Sequence, residues 1–221
     1  QRSSPVRTRR MCRATPKYST VGTTNHRTSV APIPTTSTWT VVPSRPDSSA
    51  GISTGAAAVE RIVAPSATEV TKQQRETTRK QIRDAGLECV GLHWLLAKTE
   101  GFHLTTPDVA VRERTGDYLA DLARLCRDLD GSIMVLGSPQ QRNLREGISH
   151  EQGMENAAEA IRRAMPVLED RGVTLALEPL GKAEGDFLNT AASGIELARM
   201  VDSPNCRLHL DVKAMSDEDK P

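Results

Sequence analysis

Beyond residue 70 the apolar positions keep two alternating rhythms, helix-period stretches and short, nearly continuous apolar runs. "TKQQRETTRKQIRDAG" ends at Gly86 and leads into "LECVGLHWLL", and "RTGDYLADLARLCRDLDG" ends at Gly131 and leads into "SIMVLGSP". "SHEQGMENAAEAIRRAMPVLEDRG" ends at Gly172 before "VTLALEPL", and "TAASGIELARMVDSPN" precedes "CRLHLDV". The three glycines stand where helix C-caps belong. Four strands are therefore expected to start near residues 87, 132, 173 and 206, spaced as a strand, a helix and two short connections would be. Apolar strands interleaved with amphipathic helices predict an α/β fold with a parallel sheet covered by helices.

Side chains alternate faces along a strand, which sorts the polar residues. In the third strand Thr174, Ala176 and Glu178 share one face, opposite Val173, Leu175 and Leu177. In the fourth, His209 and Asp211 lie opposite Leu208, Leu210 and Val212; in the first, Cys89, Gly91 and His93 oppose Val90, Leu92 and Trp94. Each of these strands has an aliphatic side for helices and a second side ending in Glu, Asp or His. Polar groups gathered at the C-terminal ends of parallel strands favour the mouth of a (β/α)-barrel over a doubly wound sheet.

Composition divides the chain at residue 70. Residues 1–70 hold 29 Ser, Thr or Pro and nine basic against three acidic residues, with no periodic apolar run to offset the entropy of ordering them. That segment is expected to be disordered. Proline-studded and not amphipathic, it makes a poor transit peptide, and an unrelated extension or out-of-frame translation explains it at least as well. Residues 71–221 carry a net charge of −5, which argues against a nucleic-acid groove. No run of 18 apolar residues offers a bilayer span. Cys12, Cys89, Cys126 and Cys206 form no paired motif, as expected of reduced thiols in the cytoplasm.

Glu178 and Asp211, on neighbouring strands, offer hard oxygen donors suited to Mg²⁺ or Mn²⁺, and added imidazole widens the choice to Co²⁺ or Zn²⁺. Such a cation would polarise a carbonyl and its adjacent hydroxyl while a carboxylate moves a proton on the neighbouring carbon. Two carboxylates paired with Arg or Lys at strand ends would give the same spacing.

"GLHWLLAKTEGFHLTT", "VTLALEPLGKAEGDFLNTA" and "RLHLDVKAM" resemble the sugar phosphate isomerase/epimerase family with the xylose-isomerase-like barrel, which includes ketose 3-epimerases and hydroxypyruvate isomerase. The resemblance runs from about residue 75 to residue 221 and implies a partial (β/α)8 TIM barrel. It implies that Glu178 is both metal ligand and acid/base group, that Asp211 is a second metal ligand, and that Glu184 contacts a substrate hydroxyl. His93 and Trp94 are expected as a sugar-facing wall, with only one of them pointing straight into the barrel. A sugar or hydroxy-carbonyl substrate and a homo-oligomer follow from the same likeness, with neither nucleic acid nor membrane as a partner. Asn189 and Thr190 are expected to cap the following helix, His209 to be an interior histidine and His103 to be solvated in a loop.

The chain departs from the family pattern in two ways. Ala214 stands where ketose epimerases carry a substrate-binding histidine, with Lys213 as a neighbouring donor. The resemblance also places strands six to eight, with a metal-binding His and a second Glu, outside these residues. A partial barrel with open sheet edges is therefore expected, poorly folded, associating, or binding metal weakly. The alternative readings are a non-catalytic remnant or truncated gene product and, more remotely, a metal-dependent phosphodiesterase on the same barrel.

Overall fold

The computed structural model describes residues 38–43 and 70–218. Its elements run β1 (Thr38–Pro43), α1 (Lys72–Asp84), β2 (Leu87–His93), α2 (Val109–Asp128), β3 (Ile133–Leu136), α3 (His150–Arg171), β4 (Thr174–Leu177), α4 (Ala191–Val201), β5 (Cys206–Leu208) and a 3₁₀ turn (Ala214–Asp217). One five-stranded sheet has the order β1-β2-β3-β4-β5. From β2 to β5 the neighbours are parallel, as the alternating pattern predicts, whereas β1 pairs antiparallel with β2.

The antiparallel strand is the one strand that the alternating pattern does not predict. Thr38–Pro43 pairs with β2, and residues 1–37 and 44–69, on which the rest of the expected N-terminal disorder falls, lie outside the described residues. With β1 paired to β2, the edge strands of the sheet among the described residues are β1 and β5.

Strand alternation decides the core. Leu92, Met134, Leu136, Leu175 and Leu177 face the helices and are at most 2% exposed, a burial worth roughly 1.5–3 kcal/mol for each side chain. The opposite face is less covered: Ile133 is 38% exposed, Val135 and Thr174 are half-buried and Arg207 is exposed. Helices therefore cover one face of the sheet. Arg112 of α2 reaches Glu159 of α3 at 2.8 Å, and Arg163 of α3 reaches Asp117 of α2 at 2.7 Å.

The caps follow the sequence in part. Thr71 caps α1 through a capping box, and Thr190 does the same for α4 with Ser193. Gly172 ends α3 in the left-handed region at φ 60°, as expected. At the end of α2, however, Asp130 takes the left-handed position, and Gly131 instead provides close packing, where a Cβ would meet Cys126 Sγ at 2.9 Å. Asn189 is not a cap: its amide donates to the Leu180 and Gly185 carbonyls at 2.8 and 2.9 Å and closes the β4–α4 loop.

Candidate active site

The end of β4 delivers Glu178 to the C-terminal edge of the sheet. Its backbone N–H donates to the Leu136 carbonyl at 3.2 Å, continuing the β3 ladder by one residue. The side chain is buried, 7% exposed, and lies against Gly137, where any Cβ would overlap its Oε2. A carboxylate in the position of a core residue is thus accommodated by the absence of a side chain on the neighbouring strand end.

Four charged neighbours act on it. Burial raises the Glu178 carboxyl above the usual carboxylate range; His209 and Arg142 pull it down, while Asp211 and Glu184 push it further up. Glu178, Glu184 and Asp211, singled out in the sequence, are therefore brought into one electrostatic cluster. Glu184 also meets Lys213, with Nζ 3.7 Å from Oε1, so the lysine two residues after Asp211 lies over the mouth. Asp211 Oδ1 accepts the Lys213 backbone N–H at 2.8 Å and fixes that turn.

The fourth strand departs from expectation. β5 ends at Leu208, and only the His209 N–H continues the ladder, to Leu177 at 2.8 Å. Asp211 therefore sits in the segment after the strand. Leu210 and Val212, expected to face helices, are 55% and 85% exposed, because no described helix packs over them.

His93 is the last residue of β2 and is level with Val135, itself level with Ala176, two residues before Glu178. Trp94 leaves the strand at φ 58°, so strand alternation no longer governs it; the two rings meet edge to face at 5.3 Å. His103 is not solvated. It is 3% exposed, its backbone N–H donates to Thr115 Oγ1 at 2.9 Å, and burial, aided by the charge of Arg145, pulls its imidazole down to about 4.

The loops over the strand ends are fastened in series. Ser138 Oγ accepts the Leu96 N–H at 3.1 Å, and the Gln141 carbonyl accepts the Leu104 N–H at 2.8 Å. Asn143 Oδ1 accepts the Asp186 N–H at 3.2 Å while Asp186 Oδ1 accepts the Leu144 N–H at 2.8 Å, a reciprocal pair joining the loops after β3 and β4. These residues, and the buried Arg142, escape the sequence reading because their meaning depends on partners from other loops.

The donor set fits a divalent cation in kind, being two carboxylates whose repulsion positive charge would relieve. Among the described residues no group of three or more His, Cys, Asp or Glu side chains is placed to hold a metal ion. No helix there is long and apolar enough to cross a membrane.

The family model for the xylose isomerase-like TIM barrel matches residues 50–221. The D-psicose 3-epimerase of Ruminiclostridium cellulolyticum is 28% identical over 119 residues, which are 53% of this chain and 41% of the relative. The L-ribulose 3-epimerase of Mesorhizobium japonicum is 30% identical over 142 residues, 63% of this chain and 46% of the relative. The crystal structure of D-psicose 3-epimerase with D-tagatose from Clostridium cellulolyticum H10 superposes with a TM-score of 0.59 at 22% identity, over 68% of this chain and 52% of that one. The chain thus spans about half the length of the curated relatives it matches and shares the fold of the solved one.

Proposed function

Because this chain belongs to the xylose isomerase-like TIM barrel family, we propose that its site moves a proton on a sugar carbon beside a carbonyl, in an epimerase or isomerase acting on a ketose or ketose phosphate. One observation carries the reading. A buried carboxylate, Glu178, stands at the C-terminal end of a barrel-type strand with Asp211 and Glu184 close enough to raise its proton affinity. A general base works best when its pKa approaches the working pH, and burial with like charges moves Glu178 that way.

In this reading Glu178 takes the proton from the carbon on one face of the sugar; a proton returned to that carbon from the opposite face completes an epimerisation, and one delivered to the neighbouring carbon an isomerisation. Glu184, at the mouth, accepts a hydrogen bond from a substrate hydroxyl. His93 offers an imidazole to hydroxyls, and Trp94 offers a ring face to the apolar side of the sugar. Glu178 and Asp211 would hold a divalent cation, Mn²⁺, Mg²⁺, Co²⁺ or Zn²⁺, which supplies polarisation of the carbonyl and its neighbouring hydroxyl when bound. The substrate is expected to differ from that of the ketose epimerases where Ala214 stands in place of their histidine, with Lys213 as a neighbouring donor.

We place the protein in the cytoplasm as a homo-oligomer. The thiols of Cys89, Cys126 and Cys206 are buried and free, and burial pushes them up to about 11, 12 and 12, which suits a reducing compartment.

The test is hydrogen exchange into sugar. The chain is incubated in D₂O with a panel of ketoses and ketose phosphates and each of the four metals, and deuterium at the carbon next to the carbonyl is followed by NMR. Exchange that disappears in Glu178→Gln is expected. Exchange undiminished in that variant, or none with any substrate and metal, overturns the proposal.

A further inference from the structure

The β3–α3 loop buries a cation to which the proposed chemistry gives no task. Arg142 is 1% exposed, and its Nη1 donates to the Leu136 carbonyl at 3.1 Å. That is the oxygen which also accepts the Glu178 backbone N–H at 3.2 Å. Its Nε and Nη2 are enclosed and make no hydrogen bond. A buried guanidinium with two unsatisfied donors is costly, and one bond to a carbonyl does not compensate for the lost hydration. Buried ions persist where opposite charge lies close. The opposite charges acting on Arg142 are Glu178 and Glu184, working against the burial that lowers it to about 10.

We propose that Arg142 is a positioning residue for Glu178, a buried guanidinium tied to it through the shared Leu136 carbonyl and supplying the counter-charge against which that carboxylate is seated. Gly137 leaves the room and Arg142 supplies the attraction. With Nε and Nη2 closed off from solvent, Arg142 acts through Glu178 and makes no contact with substrate. The inference deepens the proposed function, on which it rests for the role of Glu178.

A double-mutant cycle on the thermal unfolding of the full chain at pH 7.5 tests it, using Arg142→Met, Glu178→Gln and both together. Arg142→Met is expected to lower Tm by roughly 5 °C or more, and by less than half as much when Glu178 is already Gln. Arg142→Lys, which keeps the charge, should recover at least half of the loss. Equal shifts in both backgrounds, or no recovery with Lys, overturn the proposal, since packing and the Leu136 bond would then account for the residue. If Arg142→Met alone does not fold, a folded double variant supports the proposal and an unfolded one overturns it. The cycle needs no turnover, so a chain without exchange activity would sink the proposed function and leave this result readable. Where turnover is present, Arg142→Lys is expected to lower kcat with KM little changed.

Discussion

A Cβ on Gly137 would occupy the volume of Glu178 Oε2, so Gly137→Ala must move the carboxylate, the loop after β3, or both. The substitution lies outside the helix-facing core and leaves no cavity, so the fold should persist while the site is displaced. Exchange of deuterium into substrate is expected to fall on the order of 100-fold, the cost of misplacing a reacting group by about 1 Å, with the circular dichroism spectrum unchanged. Unaltered exchange would show that Glu178 does not work from this position. The same pair shows what sequence can carry at this scale. Glu178 and Asp211 are legible because a carboxylate ending an expected apolar strand breaks the pattern, and Glu184 is legible only through the family resemblance. Gly137 and Arg142 are not, since a glycine and an arginine in a loop acquire a role only when β3 and β4 come side by side.

Elements follow the hydrophobic pattern closely until their ends, where tertiary contacts take over. All four helices and the four parallel strands stand where the two rhythms place them, yet β5 stops at Leu208, short of the run that continues through Leu210 and Val212. An apolar run extends as a strand only when something packs on it, and no described helix covers that segment. The antiparallel β1 lies in a Ser/Thr/Pro-rich region without alternation strong enough to announce it. At helix starts the local code is stronger, because a side chain a few residues away completes it. Thr190 accepts the Ser193 N–H at 3.1 Å, and Ser193 Oγ accepts the Thr190 N–H at 3.2 Å. Thr190→Ala removes one half of this box and should cost about 1 kcal/mol, seen as a Tm lower by roughly 2–4 °C. An unchanged Tm would mean that tertiary packing alone sets the start of α4.

For the molecule as a whole, acid stability depends on groups that titrate differently in the folded and unfolded chains. His103 is buried between the β2–α2 loop and α2, with Thr105 Oγ1 3.4 Å from its Nδ1, and folding lowers its pKa from 6.5 to about 4. Between those values the unfolded chain binds more protons, so stability is full above pH 6.5 and is lost as the pH falls towards 4. Glu178 has the opposite sign. Its carboxyl is raised on folding, so the folded state binds more protons there and its burial weighs less on stability as the pH falls. The two trends oppose each other, and wild-type melting alone does not separate them. His103→Gln does, because Glu178 is present in both proteins and cancels in the difference. From pH 7 to pH 5 the histidine should cost on the order of 2 kcal/mol, so wild-type Tm should fall by roughly 4–8 °C more than that of the variant. Equal slopes would mean that His103 takes up its proton in the folded chain as readily as in the unfolded one, and that the loop it anchors opens before the sheet does.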